Sequence, residues 1–116
     1  MLESYNGNYT DAQATAVASL MLHAGASIRM WYGRMSTGFS DDVAPAMIKY
    51  FDYDSTCVQY LKREYFEWED WNNILQKELN AGRPMYYSGF AAGYGIGHAF
   101  VCDGLDSDGL YHINWG

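Results

Sequence analysis

Basic residues are scarce in this chain: seven Lys and Arg stand against fourteen Asp and Glu, for a net charge of −7 and a pI near 4.6. Phosphate-rich partners require clustered cations, and Lys62-Arg63 is the single adjacent basic pair, so nucleic acid is a poor partner. Cys57 and Cys102 are the only cysteines, too few for a disulfide framework. Apolar runs are short. None approaches the roughly 18 residues that a membrane-spanning helix needs. The opening Met1-Leu2-Glu3-Ser4-Tyr5 has neither the basic nor the apolar stretch of a secretion signal.

What the chain has is apolar and aromatic substance, 49% and 17% of its 116 residues, which argues for a packed core and for one domain spanning 1–116. Asn8 to Thr10 before Asp11 reads as a helix start. Val17, Leu20, Met21 and Ala24 follow at helical spacing, with Gly25 as the expected stop. Ser27 to Tyr32 reads as a strand and Gly33 to Gly38 as a loop. Ser40, with Asp41 and Asp42 behind it, opens a helix carrying Val43, Met47, Ile48 and Phe51 on its buried side. Cys57 to Tyr60 is expected as a short strand. Glu67 to Leu79 is the most regular helical pattern, with Trp68, Trp71, Leu75 and Leu79 on one stripe and Asn80-Ala81-Gly82 ending it. Pro84 to Ser88 reads as a strand, and His98–Asp103 with Leu110–Trp115 as a hairpin. Helices first and an antiparallel sheet last give an α+β fold.

A hairpin folding symmetrically about Asp106 would set His98 opposite Asn114, Phe100 opposite His112 and Cys102 opposite Leu110. Directly opposed side chains lie ~5 Å apart at Cβ. The Asn114 carboxamide would then accept a hydrogen bond from the His98 imidazole and fix its tautomer, the orienting role in a nucleophile–base–orienter set. Trp115 would shield that bond from water. On spacing alone, a lone strand histidine is more often a packing or surface residue than a catalytic one, and the asparagine could merely end the strand.

Gly97-His98-Ala99-Phe100-Val101-Cys102-Asp103-Gly104 and Tyr111-His112-Ile113-Asn114-Trp115-Gly116 resemble the end of the streptopain–interpain family of papain-like bacterial cysteine peptidases. Arg83 to Gly89, the Trp71 to Leu79 helix and the Asp41 to Phe51 segment are similar to the family in spacing and character. The resemblance implies a partial papain-like catalytic domain in which His98 is the general base and acid, Asn114 orients it and Trp115 covers their contact. The family's nucleophilic cysteine lies upstream of anything here, so the chain reads as a C-terminal piece without nucleophile, inhibitory pro-segment or final strands. The implied activity is a cysteine endopeptidase, secreted or at the bacterial cell surface. Its partners would be protein or peptide substrates and the missing N-terminal part of the same domain with its pro-segment, and it needs no cofactor. The alternative is a non-catalytic papain-like binding or inhibitory module.

Neither cysteine fits as a substitute nucleophile. Cys102 lies four residues along the strand from His98, ~13 Å away at the usual rise, beyond the reach of a base. Cys57 falls where the family has no catalytic residue. The glycine-rich stretch 89–97 is followed by a strand, which removes the helix N-terminus a phosphate loop requires. By analogy it forms a wall of the substrate cleft, with Gly95, Ile96 and Gly97 as substrate-binding residues. Asp103, Asp106 and Asp108 read as turn residues instead of a calcium loop. A metal site from His98, His112 and Cys102 has no support in the family, and no metal is expected.

Overall fold

Thr10 starts the first helix. Its hydroxyl accepts from the Gln13 amide while the Gln13 side chain accepts from the Thr10 amide, a capping box that satisfies two otherwise orphaned donors. The computed structural model describes residues 7–91, 93 and 97–116. These form two units, one ending at Tyr60 and one running from Leu61 to Gly116.

In the first unit, α1 spans Asp11–Ser27 and a 3-10 turn, Ser40–Asp42, leads into α2, Val43–Phe51. Gly25 does not stop α1. It is buried inside the helix, and a Cβ placed there would lie 1.8 Å from the Tyr32 hydroxyl. A side chain there would have to displace the Tyr32 ring. The reversal comes at Arg29, whose φ is +54°, and this left-handed residue breaks the expected Ser27–Tyr32 strand. All that survives of that strand is one bridge, Trp31 to Thr37. Arg29 also clasps both carboxylate oxygens of Asp42 at 2.9 Å, tying the turn to the head of α2. Asp52 at φ +57° ends α2.

Cys57–Tyr60 is not a strand. Asp54 turns the chain there, its backbone carbonyl accepting from Cys57 and Val58 and its carboxylate from the Thr56 amide. These local bonds compete successfully with extended structure. They also hold the Asp54 carboxyl below its ordinary range, the backbone bond from Thr56 contributing most.

In the second unit, α3 spans Trp68–Asn80. Trp71 and Leu75 are buried, one turn apart on the face predicted from spacing, whereas Trp68 on the first turn points to solvent. Gly82 at φ +70° closes the helix as expected, with the Arg83 amide returning to the Glu78 carbonyl. The sheet is antiparallel, in the order β1 (Met85–Phe90), β2 (Gly97–Leu105), β3 (Tyr111–Asn114). One face, carrying Met85, Tyr87, Phe100, Cys102 and Ile113, packs on α3, and Cys102 is its most buried member at 2% exposure. Polar contacts also bind α3 to that face: the Trp71 Nε1–H donates to the Tyr87 hydroxyl at 3.1 Å, and the Tyr111 hydroxyl donates to the Asn72 side-chain oxygen. Among the described residues, three α-helices and an antiparallel sheet make the α+β architecture anticipated for part of a papain-like domain.

Candidate active site

The hairpin register differs from the symmetric one. The turn is centred near Asp108, because the Asp106 carboxylate accepts from the amides of both Asp108 and Leu110 and the Asp106 amide donates to the Leu110 carbonyl. Leu105 therefore pairs with Tyr111, and Gly104 with His112. A bulge between Cys102 and Gly104 shifts the ladder again, so that Cys102 faces Ile113 and Val101 faces Asn114. The expected pairs His98–Asn114, Phe100–His112 and Cys102–Leu110 do not form. His98 is three residues from Val101, and strand alternation puts it on the opposite face from Asn114.

The imidazole nevertheless has an acceptor. His98 Nε2 lies 3.1 Å from the main-chain carbonyl oxygen of Trp115. A carbonyl carries no proton, so in this contact Nε2 is the N–H donor. In the neutral imidazole, Nδ1 is then left with a free lone pair. That is the tautomer a base needs in order to take a proton at Nδ1. The Trp115 ring lies beside the imidazole, centroids 6.0 Å apart and planes 27° from parallel.

Asn114 contributes one step removed. Its carboxamide oxygen accepts from the Gly116 amide at 3.1 Å, closing a small turn around Trp115 just beyond the end of β3. The peptide group whose carbonyl meets His98 is the one that contains this Gly116 amide. The carboxamide and the imidazole thus hold opposite ends of one peptide unit.

Of the expected substrate-binding residues, Gly95 and Ile96 lie outside the described residues. Gly97 opens β2 opposite Phe90, whose ring sits 2.7 Å from where a Cβ on Gly97 would be. A side chain at position 97 would require the Phe90 ring, which is 80% exposed, to move aside. Cys102 is buried, and burial, with Asp103 adding to it, pushes its thiol above the ordinary cysteine range. A buried, protonated thiol is not a nucleophile. Cys57 is exposed, in the turn of the first unit. His112 Nδ1 meets Asp103 at 2.5 Å on the exposed side of the sheet. Asp106 is committed to its own turn, and among the described residues no three His, Cys, Asp or Glu side chains converge to hold a metal.

Sequence reasoning missed the aromatic series beneath the site. Phe100 contacts Trp115 at 5.0 Å and stacks on Tyr87 at 5.3 Å, and Tyr87 meets the Trp71 ring edge-on at 6.0 Å. The Tyr87 and Phe100 spacing was visible, but their partnership depends on the β1–β2 register, which pairs them directly.

The chain matches the Peptidase C10 family over residues 1–116. It is 38% identical over 117 residues to the streptopain of Streptococcus pyogenes serotype M28, covering all of this chain and 29% of that protein, with the same figures for the serotype M1 streptopain. It is 35% identical over 105 residues to the thiol protease/hemagglutinin PrtT of Porphyromonas gingivalis, covering 90% of this chain and 12% of that protein. The chain therefore spans less than a third of the length of these relatives. With a family match from end to end and a histidine held by a strand-end carbonyl, this chain belongs to the peptidase C10 family.

Proposed function

We propose that the chain supplies the histidine half of the catalytic centre of a cysteine endopeptidase acting on proteins, with the nucleophilic cysteine contributed by polypeptide outside residues 1–116. The 3.1 Å contact between His98 Nε2 and the Trp115 carbonyl carries this reading, because it leaves Nδ1 as the proton acceptor. The thiol proton passes to Nδ1, and the thiolate attacks the scissile carbonyl. The imidazolium then returns the proton to the leaving amine, and water, deprotonated by the same nitrogen, hydrolyses the acyl-enzyme. Trp115 contributes its carbonyl and ring, and Asn114 orients the imidazole through the Trp115–Gly116 peptide. The 89–97 segment is the proposed cleft wall, with Gly95, Ile96 and Gly97 as proposed substrate-binding residues. The whole protein is proposed to act outside the bacterial cell or at its surface, on protein or peptide substrates.

The test is casein hydrolysis. The parent-length protein hydrolyses it, His98→Ala abolishes turnover, and residues 1–116 alone show none. Turnover by residues 1–116 that His98→Ala removes would place the nucleophile within this chain. A parent-length protein that binds peptides without cleaving them would make this a binding module.

A further inference from the structure

We infer that Phe100 is a positioning residue for the catalytic pair: its ring, seated between Tyr87 and Trp115, ties the carbonyl that holds His98 to the buried face of α3. This rests on the reading of His98 as the base, and it adds a residue that touches no reacting atom.

Trp115 stands one residue beyond the last pair of the β2–β3 ladder. The residue is 62% exposed. The Asn114–Gly116 turn restrains the peptide on one side. On the other, the ring rests on Phe100, 5.0 Å away and tilted by 52°. Phe100 sits two residues from His98 on the same strand and, by alternation, on the same face. Its own position is set from below. It lies directly across the ladder from Tyr87 and is stacked on it within 17° of parallel. The Tyr87 hydroxyl accepts from the indole of Trp71, which is 6% exposed. Phe66 backs Trp71 at 5.6 Å. The contacts thus run without a gap from the helix core to the imidazole. Each ring limits the freedom of the next, and aromatic pairs do so with defined geometry, which a branched aliphatic side chain does not reproduce.

Phe100→Leu keeps an apolar side chain but removes the flat seat. The readout is hydrogen exchange of the His98 Nε2–H proton, followed by NMR on residues 1–116, with the amide pattern of β2, β3 and α3 as the control for folding. In the unsubstituted chain this proton exchanges more slowly than that of a free imidazole. Phe100→Leu accelerates its exchange by about threefold to tenfold, the range expected for one aromatic contact, and Phe100→Tyr restores it. Trp115→Leu gives a similar acceleration, and the double variant is no faster than either single one, because both break the same contact. In the parent-length peptidase, Phe100→Leu lowers kcat by a similar factor and leaves KM nearly unchanged. Phe100→Met carries the same expectation and replaces Phe100→Leu if the leucine variant does not fold.

Unchanged exchange in Phe100→Leu, or effects of the two single variants that multiply, would overturn the role of Phe100 while leaving His98 as the base. Fast exchange in the unsubstituted chain would instead remove the Trp115 carbonyl as the partner, and the inference with it.

Discussion

His98 and Asn114 face away from each other across the sheet, yet they act on the same peptide group: the imidazole meets the Trp115 carbonyl at 3.1 Å, and the carboxamide accepts from the Gly116 amide at 3.1 Å. In the proposed reading, Asn114 orients the imidazole without touching it. It is sufficient that the peptide between them is rigid, and the planar peptide bond makes it so.

This indirect linkage predicts a graded effect. Asn114→Ala removes one hydrogen bond, ~1 kcal/mol, and lowers kcat of the proposed parent-length peptidase by roughly fivefold without abolishing it. Asn114→Asp keeps an accepting oxygen and retains most of the activity. An alanine variant as inactive as His98→Ala would show that the asparagine acts on the imidazole directly.

The hairpin register depends on Asp106, whose carboxylate accepts two backbone N–H groups. Asp106→Ala leaves both without that acceptor and costs about 1–2 kcal/mol in denaturant unfolding, while Asp106→Asn is nearly neutral because an amide oxygen also accepts. Cross-strand NOEs between Val101 and Asn114 weaken in the alanine variant. If alanine and asparagine prove equally stable, the turn is held by something other than this side chain.

The two thiols differ in reactivity. At neutral pH, iodoacetamide modifies Cys57 quickly and Cys102 only after unfolding. The sign of the pH effect follows from burial. The folded-state thiol of Cys102 titrates above its ordinary value, with desolvation the leading cause, and burial raises the Tyr111 phenol too. Both groups prefer to stay protonated in the folded chain. Their contribution is fully present below the unfolded values and is lost as pH rises through the folded ones. The melting temperature therefore falls on the alkaline side, starting near the ordinary cysteine range of ~8.5. A melting temperature flat from pH 7 to 10 would contradict this.

Gly25 reverses an ordinary expectation. An interior helical glycine replaced by alanine normally gains up to ~1 kcal/mol. Here the new methyl group meets the Tyr32 hydroxyl, so Gly25→Ala yields no such gain and displaces the Tyr32 ring. Gly25→Ala in a Tyr32→Ala background recovers the gain. A stabilised single variant would show that the tyrosine moves aside without cost.

The sequence by itself determined the segments whose signals are local. Thr10 with Gln13 caps α1, Trp71 and Leu75 bury the stripe of α3, Gly82 ends it, and alternation marks the strands on either side of His98. Single-residue conformations and side-chain turn bonds were harder to read. Arg29 and Asp54 replaced two expected strands with turns, because short polar contacts there outcompete a weak strand pattern. The tertiary structure alone decided which atom holds the imidazole. A turn centred two residues later than symmetry suggests, followed by one bulge, moved Asn114 across the sheet and brought a backbone carbonyl to His98. Pairing in a sheet alternates with a period of two, so an odd slip changes every facing partner while leaving the strand pattern unchanged. Composition and spacing carry no information about that parity; the turn and the bulge set it.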